Sequence, residues 1–389
     1  MKETMTCYER LEAAWNLEEA DRVPVAPLVI YLLPYQSGLQ FKEMIEDPEK
    51  LVQSAIDNSD LIGDCLHPVL TLHDHQALLP HSTWDRVTLD WRIFDKFPPE
   101  GNIPSAYFDK VMIEDYDDVM ERGFSTLMFN KQISSDVFER SIDDFLYYGF
   151  EYSNDFFKAW QRFYEETGKT LVMGSRSIIP LDHVMAYRTF EKIAMDMMEQ
   201  PEKIKEMCKK VAEWEIMRAM EKCMVAGAGK IPGAEKIFLG IGTGAPPYIS
   251  PRTFDEFSYP TIKMMVDMAV NRGFKVHLHA DGDLTQCLHT LKGITDGLPK
   301  GMVMIDFEKT DMKKAKEVLG DTVCIYGNVP SSLFVYGTPE ETDDYCRQLI
   351  EDCAPGGGFV LGSECEVPWD AKPDNVRAMI KSVEKYGRY

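Results

Sequence analysis

The sequence predicts an α/β fold: a single (β/α)8 TIM barrel over residues 1–389, with an N-terminal helical extension at 1–22 and a long irregular insertion at 67–165, after the second strand. Three observations carry this. Short runs such as Val25–Leu33 are apolar at nearly every position, as strands covered by helices on both faces require. From residue 169 onward these runs alternate with segments of helical period, the pattern of a parallel sheet with helices outside. Eight strand units are enough to close the sheet on itself. No stretch has the composition of an interdomain linker.

The elements follow in order. Residues 5–20 read as a helix with Tyr8, Leu11, Ala14 and Trp15 on one face, broken at Asp21-Arg22-Val23-Pro24. Val25–Leu33 is the first strand, Phe41–Asn58 is helical, and Leu61–Leu66 is the second strand. The 67–165 segment is irregular, with a turn cluster at Phe97-Pro98-Pro99. It ends in an aromatic-dense stretch from Phe145 to Tyr164 that reads as helix core or as a lid over an apolar pocket. Strands are then expected at Thr170–Gly174, Lys236–Ile241, Phe274–His279, Met302–Asp306, Thr322–Tyr326 and Gly358–Leu361. Helices are expected between them, and Thr338-Pro339 makes an N-cap with proline at the first helical position.

Composition bounds the function. Of the 389 residues 44% are hydrophobic and 27% charged, which is ordinary for a globular chain. A net charge of −22 repels phosphate backbones, so nucleic acid is not the expected partner. No apolar run is long enough to span a membrane, and the N-terminus lacks the apolar core of an export signal. The nine cysteines have no pairing rhythm and are expected to be reduced thiols in a cytoplasm.

In barrels of this kind chemistry sits at the C-terminal ends of the strands. The residues expected there are Asp64, Ser175, His277 and His279, Asp306, Asn328, and Glu364 with Cys365. Asp64, Ser175, Asp306 and Asn328 are the candidate substrate contacts. No lysine stands at a strand end, which disfavours Schiff-base chemistry. His277 and His279 lie two apart, so in a strand they face the same way and share either a hydrogen-bond network or a metal. Cys365 supplies a third donor, and two imidazoles with a thiolate suit Zn2+ with one open position. Glu364 is a neighbouring carboxylate that could substitute for or supplement these donors. Asp281 and Asp283 are candidates to orient the imidazoles, or else plain turn residues. His67, His73, His75 and His81 are read as loop or surface residues.

The chain resembles the uroporphyrinogen decarboxylase superfamily. The agreement runs through Arg22-Val23-Pro24-Val25, Asp47-Pro48-Glu49-Lys50, Pro201-Glu202-Lys203, Phe257-Ser258-Tyr259-Pro260 and Val276-His277-Leu278-His279. It continues through Tyr326-Gly327-Asn328-Val329, Gly337-Thr338-Pro339-Glu340-Glu341, Gly356-Gly357-Gly358-Phe359-Val360-Leu361 and Cys365. The resemblance implies the same barrel. No arginine occurs between Arg22 and Arg86, so the arginines with which the decarboxylase branch holds a polycarboxylate are missing. The zinc-dependent, corrinoid-linked methyltransferase branch is the better match. It implies a zinc site at His277, His279 and Cys365, with His279 standing where the family pattern has cysteine. It also implies a small methylated substrate and cobalamin supplied by a separate corrinoid protein; the aromatic-rich stretch 145–164 points to a methoxylated aromatic as that substrate. The alternative within the superfamily is a metal-free decarboxylase or lyase acting on a small carboxylated substrate.

Overall fold

The computed structural model describes residues 3–39, 43, 47–67, 113, 115–122, 153–225 and 231–389. Most of the expected insertion, including His73, His75, His81 and Phe145–Tyr152, lies outside the described residues, as does the turn cluster at Phe97.

The described strands are β1 (Val25–Leu28), β2 (Cys65–Leu66), β3 (Thr170–Leu171), β4 (Ser175–Ile178), β5 (Lys236–Ile241), β6 (Lys275–Ala280), β7 (Val303–Phe307), β8 (Cys324–Val329) and β9 (Phe359–Glu366). Seven form one parallel sheet in the order β1-β9-β8-β7-β6-β5-β4, and β2 pairs with β3. Backbone bonds join this pair and the residues after it to β1 on one side and to the chain entering β5 on the other. The Asp64 N–H donates to the Val25 carbonyl at 2.7 Å, and the Leu171 and Gly174 N–H groups donate to Pro232 and Lys236 at 3.0 and 2.9 Å. The curled parallel sheet with helices outside is the expected TIM-barrel-like fold. β3 and β4 are two halves of the third barrel strand. They are broken at Gly174, where a Cβ would lie 1.8 Å from the Ala234 carbonyl oxygen.

The first strand is shorter than its apolar run. β1 stops at Leu28 and a short helix takes Leu32–Gln36, yet Val29, Ile30, Leu32 and Leu33 remain buried. Burial demanded apolar residues there without demanding extended backbone. The helix Ser153–Thr167 buries Trp160 and Phe163, which supports helix core for that end of the aromatic stretch.

The helix Cys7–Trp15 closes the N-terminal end of the barrel. Thr6 and Glu9 form a capping box at its start. Leu11, Ala14 and Trp15 pack against the interior-facing Ala26, Cys65, Val172, Phe238, Met304, Cys324, Tyr326 and Val360. Charges at this end are paired. Asp64 accepts from Arg10 Nη1 at 2.6 Å, from Arg22 Nη1 and Nη2 at 2.7 and 3.0 Å, and from the Val25 N–H at 2.9 Å. Lys236 and Lys275 both meet Glu12, at 2.9 and 2.6 Å. All nine cysteines are free thiols, seven of them buried. No described helix is long and apolar enough to cross a membrane.

Candidate metal centre

The C-terminal end of the barrel is built around β6. Its register places Phe238 beside His277 and Gly240 beside His279 on one side, with Met304 beside His277 and Asp306 beside His279 on the other. With alternate residues facing inward, His277 and His279 both enter the barrel, the second one step nearer the mouth. The His279 ring stacks on Phe238 with centroids 5.4 Å apart.

Asp306 fixes the His279 ring. Its Oδ2 lies 2.6 Å from His279 Nδ1 and 3.7 Å from His277 Nε2. The other ring nitrogen of His279 faces the mouth, 3.0 Å from Asp281 Oδ1 and 3.7 Å from Cys365 Sγ. Among the described residues, the ligand atoms of His279, Asp281 and Cys365 lie within 4.8 Å of one another. Burial alone would lower the His279 pKa, but the Asp306 and Asp281 carboxylates outweigh it and hold the imidazole well above its ordinary value. Burial pushes the Cys365 thiol up, with His279 pulling the other way.

Two local features deliver Asp281 and Cys365. Asp281 begins the turn after β6, with its N–H on the Ile241 carbonyl at 2.9 Å. Gly282 follows with φ +79°, and a Cβ there would stand 2.1 Å from the Pro246 carbonyl oxygen. Only glycine lets the turn press this closely on the β5 loop. Cys365 is delivered by a bulge. Ala26 pairs with Gly362 and Leu28 with Glu366, so β9 advances four residues while β1 advances two. Ser363 stitches the bulge: its hydroxyl accepts from the Leu28 N–H at 3.0 Å and donates to the Cys365 carbonyl at 2.6 Å. A bulge re-aims a side chain in this way.

The donor set fits a zinc ion. Bonds of about 2.0–2.3 Å at tetrahedral angles separate nitrogen from oxygen by about 3.4 Å and nitrogen from sulfur by about 3.6 Å. The observed separations are 3.0 and 3.7 Å.

The expected residues divide. His279, Cys365 and Asp306 come together, Asp306 against His279 rather than as a substrate contact. The converging pair is His279-x-Asp281, two residues later than His277-x-His279, with Asp281 a donor rather than an orienting neighbour. His277 sits deeper and is fully buried; burial holds its pKa down. Asp283 caps the turn by accepting from the Thr285 N–H at 2.9 Å. Asp64 is corrected: it precedes β2 and is consumed by Arg10 and Arg22 at the opposite end of the barrel. Ser175 is corrected too. It faces outward, where its hydroxyl donates to the Ala219 carbonyl at 2.8 Å. Asn328 holds the loop after β7 by donating to the Glu308 and Thr310 carbonyls at 3.1 and 3.0 Å. It lines a cavity of about 440 Å3 with Lys309, Tyr345 and Glu364. Glu364 is corrected as a donor to metal: it pairs with Lys309 and accepts from the Ser331 N–H at 2.8 Å.

Three residues at this end escaped the sequence reading. His67 is a buried interior residue, 2% exposed, directly after β2. Its ring packs on those of His277 and Tyr326 at 5.6 and 5.9 Å, and burial holds its pKa well below the ordinary value. The signal was present, since His67 stands two after Cys65 in an apolar run. Asp182 accepts from the Gly242 N–H at 2.6 Å and from the Thr243 hydroxyl at 3.0 Å, bracing the β5 loop. Burial pushes its pKa up to about 6. Arg176 on β4 lies over the Phe238 ring, 5.5 Å from its centroid.

The family model for uroporphyrinogen decarboxylase (URO-D) matches residues 154–386. The chain belongs to the URO-D family. Within it, a uroporphyrinogen decarboxylase from Methylococcus capsulatus is 32% identical over 77 residues, 20% of this chain. The match spans 22% of that relative's length. A solved structure of a methyltransferase from Methanosarcina mazei superposes with a TM-score of 0.67 at 17% identity, covering 98% of this chain and 99% of that one. At that identity the likeness is one of fold, and it places this URO-D chain on the same barrel.

Proposed function

We propose that the chain is a zinc-dependent methyltransferase, moving a methyl group between a small methylated substrate and the cobalt of a separate corrinoid protein. A methoxylated aromatic is the substrate class favoured. The observation that carries the reading is the convergence of His279, Asp281 and Cys365 at the barrel mouth. Zinc held there would supply Lewis acidity toward the methyl-bearing heteroatom. Asp306 holds the Nδ1 proton of His279, so that Nε2 is left to the donor set. The Ser363 bulge aims Cys365, and the Gly282 turn aims Asp281. Phe238 and the buried His277–His67–Tyr326 layer form an aromatic floor beneath them. One thiolate among the donors, with a carboxylate beside it, makes the centre harder than a two-thiolate site and better suited to an ether oxygen than to a thiol.

The test is metal analysis of protein purified without chelator, followed by spectra of cob(I)alamin mixed with methylated candidates. About one zinc per chain is expected, lost in His279→Ala and Cys365→Ser, together with methylcobalamin formation from at least one methoxyaromatic. Absence of bound metal refutes the reading. It then favours the metal-free decarboxylase or lyase, in which the short His279–Asp306 pair would handle a proton.

A further inference from the structure

We propose that Asp182 is a positioning residue of the metal centre, setting the ligand Asp281 through a single peptide group. The inference rests on the reading above for the identity of the donor set and deepens it by assigning what holds one member in place. Asp182 is buried near the start of the helix Pro180–Arg188. Among the described residues no lysine, arginine or histidine pairs with it. Its partners all lie on the loop after β5. Oδ2 accepts from the Gly242 N–H at 2.6 Å, and Oδ1 from the Thr243 hydroxyl at 3.0 Å and from the Gly244 N–H. A carboxylate buried without a cation is costly unless its oxygens are well bonded. Three donors from three consecutive residues meet that need and tie the loop to one fixed point.

The peptide between Ile241 and Gly242 carries the constraint to the donor set. A peptide group is planar, and this one is bonded at both ends. Its N–H donates to Asp182 Oδ2, and its carbonyl accepts from the Asp281 N–H at 2.9 Å. Fixing one end fixes the direction that the other end offers to Asp281. The two carboxylates also flank the same residue: a side-chain carbon at Gly242 would stand 3.4 Å from Asp182 Oδ2 and 3.5 Å from Asp281 Oδ2. Asp281 in turn brings Oδ1 to 3.0 Å from His279 Nε2. Ser258 steadies the same loop by donating to the Gly244 carbonyl at 2.6 Å. On its far side the turn is held by Glu308, which accepts from the Gly282 N–H at 2.5 Å. Loss of Asp182 should therefore loosen Asp281 without unfolding the turn. Cys365 arrives on β9 through the Ser363 bulge, outside this chain of bonds.

The experiment reads the visible spectrum of cobalt-loaded protein, zinc affinity by chelator competition, and hydrogen exchange of the metal-free protein. Wild type, Asp182→Ala, Asp182→Asn and Asp281→Ala are compared, with Asp64→Asn as a destabilised control at the opposite end of the barrel. Asp182→Ala should weaken zinc binding about tenfold. It should also move the ligand-field bands of cobalt toward those of Asp281→Ala, while the thiolate charge-transfer band from Cys365 stays. Asp182→Asn, which keeps one oxygen for the loop, should fall between Asp182→Ala and wild type. Without metal, exchange should quicken at 241–247 and 280–284 and stay unchanged at 324–329. Asp64→Asn should leave the bands and these segments as in wild type. The inference is overturned by wild-type bands and an affinity within twofold in Asp182→Ala, by loss of the charge-transfer band along with the ligand-field change, by the same spectral change in Asp64→Asn, or by unaltered exchange at 280–284. Asp182→Asn decides by the same criteria if Asp182→Ala does not fold. A wild type that takes up neither cobalt nor zinc sinks the zinc reading, and the exchange comparison still decides whether Asp182 holds Asp281.

Discussion

Asp306→Asn is the sharpest probe of the metal centre, because it changes charge and proton placement with almost no change of shape. Asp306 is 1% exposed and touches His279 Nδ1 at 2.6 Å. As a carboxylate it can only accept, so Nδ1 carries a proton and Nε2 is the nitrogen that would give up its proton to a metal. An asparagine amide can turn its NH2 toward Nδ1, which moves the proton to Nε2 and disables it as a ligand. Orienting partners of this kind are worth about 10–100-fold in metal affinity, which is about 1.4–2.7 kcal/mol.

One effect works the other way. The carboxylate also stabilises a proton on His279 that competes with metal, so removing it weakens the competitor. Measurement at pH 9 weakens that competition relative to pH 7. Zinc affinity is read by competition with a chromophoric chelator at pH 7 and pH 9, with circular dichroism to check folding. The expected loss is at least tenfold at pH 9 and smaller at pH 7. An affinity within twofold of wild type at pH 9, while Cys365→Ser loses metal, refutes the role assigned to Asp306.

Further outcomes are expected. Gly282→Ala sets a side chain in a positive-φ turn against the Pro246 carbonyl; zinc stoichiometry should fall well below that of wild type, since Asp281 must move. Ser363→Ala removes the stitch of the β9 bulge and should weaken zinc binding about tenfold while lowering stability by about 1 kcal/mol, read by competition titration and urea unfolding. Asp64→Asn removes the carboxylate that Arg10 and Arg22 share, leaving Arg10 with Asp21 and Arg22 with Glu3, and should cost about 1–3 kcal/mol in urea unfolding at pH 7. Its pH dependence has a definite sign. Burial raises the Asp64 pKa, but Arg22, Arg10 and the Val25 N–H outweigh it and hold the value down. The stabilisation is thus complete above about pH 4 and is lost as pH falls through the lowered native value. Urea midpoints should drop below pH 4 in wild type and drop less steeply in Asp64→Asn.

The barrel was legible because strands buried on both faces leave a continuous apolar record. β5 matches its expected range, and β6 and β7 differ by one residue at each end. Strand ends were less legible, since the last residues of an apolar run can be buried without being extended, as Val29–Leu33 are. That uncertainty moved the site assignments. Placing the end of β2 at Asp64 put a structural carboxylate at the mouth and hid His67. Taking the histidine pair as the donors stopped two residues short of Asp281, whose role depends on the turn at Gly282. Cys365 was found from its place after the last strand, although the strand itself continues to Glu366. Its aim depends on a bulge, which has no periodic signature. Arg176 was missed because a single charge in Ser-Arg-Ser-Ile carries no pattern; only the register with Phe238 gives it a direction.

Charge is distributed unequally between the two ends of the barrel, and that difference bears on the metal. At the N-terminal end Arg10, Arg22, Lys236 and Lys275 face Asp21, Asp64 and Glu12, and Asp64 has a donor on each oxygen. Nothing further is needed there. At the mouth Asp281, Asp306 and the Cys365 thiol share His279, Asp306 Oδ1 is buried without a hydrogen-bond partner among the described residues, and Asp182 adds a further carboxylate bracing the neighbouring loop. Concentrating carboxylates where water is scarce costs several kcal/mol per ion unless a cation or a proton offsets it. A protonated His279 offsets one of them. A divalent cation among His279, Asp281 and Cys365 offsets more, and it would allow the thiol to ionise despite its burial. Loading the protein with zinc should therefore release protons, about one from Cys365 and up to one from His279. Titration in two buffers of different ionisation enthalpy counts them. Zinc binding without proton release would mean that the ion sits elsewhere.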